Sequence, residues 1–243
     1  MKISTNLISL IVLFASIFFV SCLKEKKALV KQTLILKPGP NDGRDVNVGY
    51  YDGDGGSYSN NNNIHNPDLS ATRWTFGAQG GGQGTFRAYI KFAALYGLPE
   101  DVIIESAKLS LYGVSKGTAA PQGNSSYPGS PYVTSNENNK CWLKRVTENW
   151  NERTITWNNK PATTDINQVE VPASTSQFNN DALDIDVTKL VQDMFADGKK
   201  TAGFCLQLQS EDIYRTLNFA SSRYSDSTKR PKLVVEYKLN ANQ

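Results

Sequence analysis

Arg87, Tyr89 and Lys91 alternate with apolar residues in the segment 85–92. Because successive side chains of a strand point to opposite faces, the pattern places these three on one face. Two cations beside an aromatic ring suit a carboxylated sugar, since Arg pairs bidentately with carboxylates and Tyr offers a ring and a hydroxyl. The alternative is an ordinary solvated face with a salt bridge or two. Three further arginines in neighbouring segments are candidate ligand contacts: Arg73, Arg215 and Arg223.

A metal site is suggested only by Asp52 and Asp54, which stand in an Asp-Gly-Asp-Gly-Gly turn. Clustered oxygens suit Ca²⁺, but the third ligand position and the terminal Glu of an EF-hand loop are absent. A flexible acidic turn is therefore favoured over a Ca²⁺ site, and no other cofactor is expected.

Catalytic patterns are weak. His65 is the only histidine, and no nucleophile motif lies near it, which argues against a triad or a general base. Paired carboxylates for glycoside cleavage remain open, because their separation in space is not visible in a sequence. Trp150 and Trp157 could stack on sugars, but they flank a short Thr/Ile alternation and are interpreted as core or turn residues.

The N-terminus predicts export and anchoring. Lys2 precedes an apolar run over 7–20, which ends at Ser21-Cys22 and resembles the lipobox of bacterial lipoproteins. The resemblance implies a signal peptide over 1–21, diacylglycerol on Cys22 and a tether over 22–32. We then expect a membrane-anchored protein of the cell envelope, in the outer membrane and facing either the periplasm or the surface. The alternative is an ordinary signal peptide with an incidental Cys.

Charge excludes one class of partner. The formal net charge is +3, which is too small for a protein that binds nucleic acid through bulk phosphate attraction. Cys141 and Cys205 lie in predicted strands, where either a disulfide or two separate half-buried thiols would fit an exported domain. Oligomeric state is left open.

Short alternating segments separated by Gly, Pro, Asn and Ser clusters predict an all-β fold, an antiparallel β-sandwich of jelly-roll type with one short helix. The helix follows from apolar residues at 187, 190, 191 and 194, with Asp186 as its cap and Gly198 at its end. The sandwich is assigned to 33–239, followed by a tail over 240–243. The predicted strands cover 33–36, 45–50, 73–76, 85–92, 107–111, 141–146, 154–157, 169–171, 204–208, 217–220 and 233–237.

Several ordered segments resemble the DNRLRE domain, also called the disaggregatase-related repeat. They are Leu36–Gly43, Arg87–Phe92, Ile104–Tyr112, Val146–Glu152, Thr156–Pro161, Ile185–Val191, Gly203–Phe204, Phe219–Asp226 and Arg230–Tyr237. The resemblance spans most of the chain after the tether, and it implies a β-sandwich of secreted or surface proteins. Some relatives are carbohydrate-binding modules for acidic polysaccharides such as alginate. Long loops over 52–66 and 113–138 depart from the usual pattern.

The leading expectation is thus a lipid-anchored, non-catalytic protein that binds an acidic polysaccharide. A structural or adhesion protein that binds another protein is the alternative, and it would show a large apolar patch or an unprotected edge strand. A polysaccharide lyase or hydrolase is the third and least favoured reading.

Overall fold

The computed structural model describes residues 29–76, 82–118, 120–132, 138–198 and 202–240. The predicted signal segment, Cys22 and the first part of the tether lie outside these ranges. No helix within the described ranges is long and apolar enough to cross a membrane.

The described residues form eleven strands and one α-helix, so the all-β prediction is confirmed. The elements are β1 (Leu29–Leu36), β2 (Arg44–Tyr51), β3 (Asp68–Phe76), β4 (Gly82–Lys91), β5 (Ile103–Leu111), β6 (Cys141–Val146), β7 (Thr163–Val171), β8 (Ala182–Asp186), α1 (Thr188–Ala196), β9 (Phe204–Leu208), β10 (Arg215–Ala220) and β11 (Lys232–Asn240). β1 begins inside the predicted tether, and β8 was not predicted.

The strands form two antiparallel sheets. The first sheet has the order β1-β11-β5-β8, and the second has the order β10-β3-β4-β9-β6-β7, with β2 paired to β4. β4 organises the second sheet because it pairs with β2 along residues 84–91, with β3 at 82–86 and with β9 at 88–90.

The main core lies between the sheets. Ala88 and Ile90 of β4 enter it, whereas Arg87, Tyr89 and Lys91 point to the opposite face, as the alternation predicts. We call this opposite side of the second sheet, turned away from the first sheet, the outer face. The alternating direction of side chains along β4 thus determines which of them pack in the main core and which lie on the outer face.

Helix α1 closes part of the main core. Leu190, Val191 and Met194 are fully buried there, which confirms the apolar stripe. The predicted cap is displaced by one residue: Val187 is the N-cap, while Asp186 Oδ1 accepts a hydrogen bond from the Thr188 backbone N–H at 3.0 Å. Gly198 follows the helix with φ of +64°, a left-handed conformation that favours glycine.

A second, smaller core lies on the outer face, beneath residues 147–161, which we call the tryptophan loop. It contains the buried residues Val46, Val48, Tyr89, Val146, Ile155, Ala202 and Cys205, with Ile64, Trp150 and Trp157 packed against them. The predicted strand at 154–157 is wrong, since this segment is a series of turns. Asn151 causes the difference: its carbonyl accepts from the backbone N–H groups of Thr154 and Ile155, which curls the chain away from any ladder.

The two unusual loops pack against the sandwich. Asn62 of the loop 52–66 donates to the carbonyls of Glu152 and Ile155 in the tryptophan loop, at 2.9 and 2.7 Å. The described part of loop 113–138 runs along β10: Asn124 Oδ1 accepts from the Asn218 N–H, and the Ser125 N–H donates to the Thr216 carbonyl. It therefore covers an edge that β10 would otherwise expose.

Cys141 and Cys205 are free, buried thiols. Cys141 belongs to the main core and Cys205 to the second core, so the second sheet separates them. Of the two alternatives left open by the sequence, the structure shows separate thiols.

Candidate functional site

Tyr89 is not a ligand contact at the surface. Its side chain is 1 % exposed, its ring lies edge-on to Trp150 with centroids 5.8 Å apart, and its hydroxyl donates to the Pro161 carbonyl at 3.4 Å. Burial raises its pKa well above the ordinary value. The expectation that its ring faces a sugar is therefore corrected, because the tryptophan loop covers this part of the outer face.

Arg87 has its charge compensated within the protein. Its Nε and Nη2 donate to the two carboxylate oxygens of Glu211 at 2.8 and 3.0 Å, and its guanidinium lies 5.1 Å from the centroid of Trp157. Burial alone would lower the pKa of Arg87, but the hydrogen bonds and charge of Glu211 raise it overall. A ligand carboxylate would have to compete with Glu211 at this position.

The indole ring of Trp157 contacts other side chains of the protein. The Lys160 ammonium lies 4.1 Å from its ring centroid, and the Tyr50 ring lies 6.0 Å away. Trp150 is similarly engaged, because its indole N–H donates to the Ala202 carbonyl at 2.7 Å and Lys91 lies 4.5 Å from its ring centroid. Both indoles thus hold the tryptophan loop on the sheet, in agreement with their interpretation from sequence.

Lys91 lies between the part of the outer face that the tryptophan loop covers and Arg44. Its ammonium donates to the Trp150 carbonyl at 2.6 Å, and burial lowers its pKa. Arg44 of β2 stands directly opposite Lys91 in the strand register, so the two cations are neighbours on the outer face.

Arg44 lines a concave pocket of about 550 Å³, which we call the arginine pocket. Four separate segments contribute to it: the turn before β2 together with the first residue of β2, the loop after β2, the tryptophan loop and the segment after β10. Its lining residues are Pro40, Asn41, Arg44, Ile64, His65, Glu152, Arg153 and Arg223.

Arg223, which lines the pocket, is hydrogen-bonded to Asp45. Its Nη1 donates to Asp45 Oδ1 at 2.9 Å and to the Asp45 carbonyl at 3.0 Å. Asp45 is 2 % exposed, and its carboxylate also accepts from the Ser222 N–H and hydroxyl at 2.7 and 2.9 Å. Burial raises the pKa of Asp45, while the hydrogen bonds of Ser222 and the charge of Arg223 oppose this rise.

Arg44 and Glu152 form a second pair, with 3.2 Å between Nε and Oε1. The Glu152 side chain is only 9 % exposed, whereas that of Arg44 is 32 % exposed. Arg153, the next residue along the chain, is exposed, and its guanidinium has no hydrogen bond or ion pair among the described residues. The pocket therefore combines two fixed guanidiniums with one that is available to an external anion.

The structure separates the remaining candidates from this pocket. Arg73 donates to Thr85 Oγ1 and Gln83 Oε1 at 2.9 and 2.7 Å, and it pairs across the strands with Arg215. Arg215 is 4 % exposed and donates to the Tyr132 carbonyl at 2.9 Å. Of the six candidate contacts, only Arg223 lines the pocket, with Lys91 adjacent to it.

Sequence reasoning missed Arg44, Glu152 and Arg153 as pocket residues. The strand over 45–50 was predicted one residue too short to include Arg44, whose register opposite Lys91 would have signalled a shared face. Glu152 and Arg153 stand in the Trp-rich segment, where nothing in the spacing distinguishes a pocket wall from a turn.

Asp52, for which the sequence favours an acidic turn over a Ca²⁺ site, accepts a hydrogen bond from the backbone N–H of Gln83 through its carboxylate. No group of three or more His, Cys, Asp or Glu residues within the described ranges is arranged to hold a metal ion. The described geometry thus adds nothing in favour of a metal.

Comparison with known families relates part of the chain to carbohydrate binding, and the matched range contains three of the eight lining residues of the pocket. Residues 131–237 match the model of carbohydrate-binding module family 96, and the match includes Glu152, Arg153 and Arg223. A search of curated proteins found no match. The family match supports a carbohydrate-binding role, and such module families are generally non-catalytic.

Proposed function

We propose that this protein is a lipid-anchored, non-catalytic protein of the cell envelope that binds an acidic polysaccharide in the arginine pocket. Its sandwich would then be of the DNRLRE type. Cys22 would carry the lipid, and the domain would face the periplasm or the surface from the outer membrane.

The observation that carries this proposal is the set of guanidiniums in the pocket. Arg44, Arg153 and Arg223 converge there with one acidic lining residue, Glu152. Guanidiniums recognise carboxylates through paired N–H donors, and the pocket is polar apart from Ile64 and Pro40. A uronate, which combines a carboxylate with several hydroxyls, matches these groups.

Affinity electrophoresis tests the proposal, with alginate and polygalacturonate in the gel and a neutral glucan as reference. We expect retardation only by the uronate polymers. Arg153→Ala should weaken it by about ten- to a hundredfold, since one charge-assisted pair contributes about 1.5–3 kcal/mol. Lys189→Ala removes the same charge from an exposed position on α1 and should bind normally. Retardation that is equal for the wild type and Arg153→Ala, or absent altogether, argues against the pocket.

An assay for unsaturated or reducing products on the same polymers separates binding from catalysis. We expect no product at any pH tested. Release of product that depends on Glu152 would assign an enzyme to the pocket instead.

The anchor has an independent test. With alkyne-palmitate labelling, the wild type should become labelled and enter the detergent phase, whereas Cys22→Ala should do neither. Density fractionation would then place the labelled protein in the outer or the inner membrane. Labelling that survives in Cys22→Ala would contradict lipidation at this residue.

One observation favours the protein-binding alternative. β1 has a single strand neighbour in the described sheets, and Ile35 on it is 64 % exposed. Capture of an envelope protein by the wild type but not by Ile35→Lys, in a sample that binds no glycan, would favour adhesion over glycan binding.

A further inference from the structure

The charges around the arginine pocket nearly cancel. Arg223 is compensated by Asp45, and Arg44 is compensated by Glu152. Arg153 is the lining cation that has no partner among the described residues. Together, Arg223, Asp45, Arg44, Glu152 and Arg153 leave a single uncompensated positive charge.

Lys91 lies next to Arg44 in the strand register but is not one of the residues that line the pocket. Its ammonium is directed to the carbonyl and ring of Trp150, at 2.6 and 4.5 Å. It adds attraction at short range, but it offers no contact to a ligand inside the pocket.

The pocket also has the size and boundaries of a small-ligand site. Its volume of about 550 Å³ falls within the range of about 300–1,000 Å³ that is typical of such sites. No Phe, Tyr or Trp is among its lining residues, so it lacks the large flat stacking surface that would support a long sugar chain.

We propose that the arginine pocket binds one terminal uronate residue of a polysaccharide, with Arg153 on its carboxylate, rather than the interior of the chain. The remaining N–H donors of Arg44 and Arg223 and the acceptor oxygens of Glu152 then contact sugar hydroxyls. This inference rests on the proposed acidic-glycan function and specifies which part of the glycan is recognised.

Calorimetry with a length series of oligouronates tests this assignment. Affinity should reach a plateau by the trimer, with less than about a threefold gain from trimer to hexamer, because one terminal residue supplies the ionic contact. Over a tenfold rise in NaCl, affinity should fall about tenfold or less, because each ion pair contributes roughly one power of salt. Methyl-esterified oligomers should bind wild type as weakly as unmodified oligomers bind Arg153→Ala.

A second measurement counts chain ends. Acid-shortened polymer should saturate more protein per unit mass than the parent polymer, in proportion to its ends. Affinity that rises more than about tenfold from trimer to hexamer, or capacity that is independent of shortening, would overturn terminal recognition and leave acidic-glycan binding intact. Failure of every uronate to bind would overturn both proposals, provided that circular dichroism shows a folded protein.

Discussion

Arg223 reaches the pocket with a fixed orientation because it rests on a buried carboxylate. Asp45 receives four hydrogen bonds from Ser222 and Arg223, including those to its carbonyl and both carboxylate oxygens. Such a pair stabilises weakly as a whole, but removing one partner leaves a buried charge without compensation. The pair is thus better understood as a positioning device than as a source of stability.

The arrangement predicts a strongly non-additive double-mutant cycle. Arg223→Ala should lower the free energy of unfolding by about 3 kcal/mol, since Asp45 keeps its buried charge. Asp45→Asn/Arg223→Ala should recover about 1 kcal/mol or more relative to the sum of the single changes. Urea unfolding followed by tryptophan fluorescence measures the four variants. Simple additivity would show that the two side chains are not coupled.

At the scale of elements, the start of α1 depends on Asp186. Its carboxylate accepts from Lys108 Nζ at 2.8 Å and from the N–H and Oγ1 of Thr188 at 3.0 and 2.6 Å. The hydrogen bond from Lys108 is the main cause that lowers the pKa of Asp186 from 3.8 to about 2, and those from Thr188 add to it. A lowered pKa in the folded state stabilises the fold above 3.8, and this contribution is lost as pH falls towards 2.

Asp186→Asn should therefore cost about 1 kcal/mol at neutral pH, a value discounted because the carboxylate is largely exposed. The difference from wild type should shrink as pH falls from about 4 to about 2. Unfolding free energies measured across this range provide the check. Asp212→Asn, at an exposed position outside the helix, serves as the control. A difference that stays constant with pH would contradict the assigned role.

The Asn-rich loop over 52–66 and the tryptophan loop form one unit through Asn62. Asn62→Ala removes two part-buried hydrogen bonds to carbonyls of the tryptophan loop and one that Asn62 Oδ1 accepts from the Ile64 N–H, and it should destabilise the domain by about 2 kcal/mol. It should also weaken glycan binding, because Glu152 and Arg153 lose their support. Asn61→Ala is the matched control, since within the described part of the chain Asn61 forms a hydrogen bond through its backbone N–H alone. Equal melting temperatures for the two variants would rule out a stabilising connection between the two loops through Asn62.

These elements also show how far the sequence is informative. Alternation predicted β4, β6 and β9 well, because side-chain direction in a strand depends only on neighbours in sequence. The same rule wrongly predicted a strand at 154–157. There the carbonyl of Asn151 accepts hydrogen bonds from the backbone N–H groups of Thr154 and Ile155, which a strand ladder would otherwise use. The pocket could not be predicted, since Arg44, Glu152 and Arg223 are distant in sequence. They meet only after the loop 52–66 and the tryptophan loop have folded.

For the whole molecule, the two cores on opposite faces of the second sheet differ in size and in cover. The main core is enclosed by two sheets and α1, whereas the second core is covered by the tryptophan loop. A small core under a loop should open locally at lower cost than the whole domain unfolds. Each core contains one free thiol, so opening of each can be followed separately.

Thiol labelling in urea should therefore modify Cys205 before Cys141. Burial raises the pKa of both thiols, to about 11 for Cys205, so neither should react in the closed native state. The variants Cys141→Ser and Cys205→Ser, each in a chain from residue 22 onwards with Cys22→Ser, report one thiol at a time. A uronate oligomer should slow labelling of Cys205 more than that of Cys141, because Glu152 and Arg153 belong to the loop that must open. Equal urea dependence for both thiols would mean that the two cores unfold as one cooperative unit, and would remove the mechanical link between the pocket and the second core.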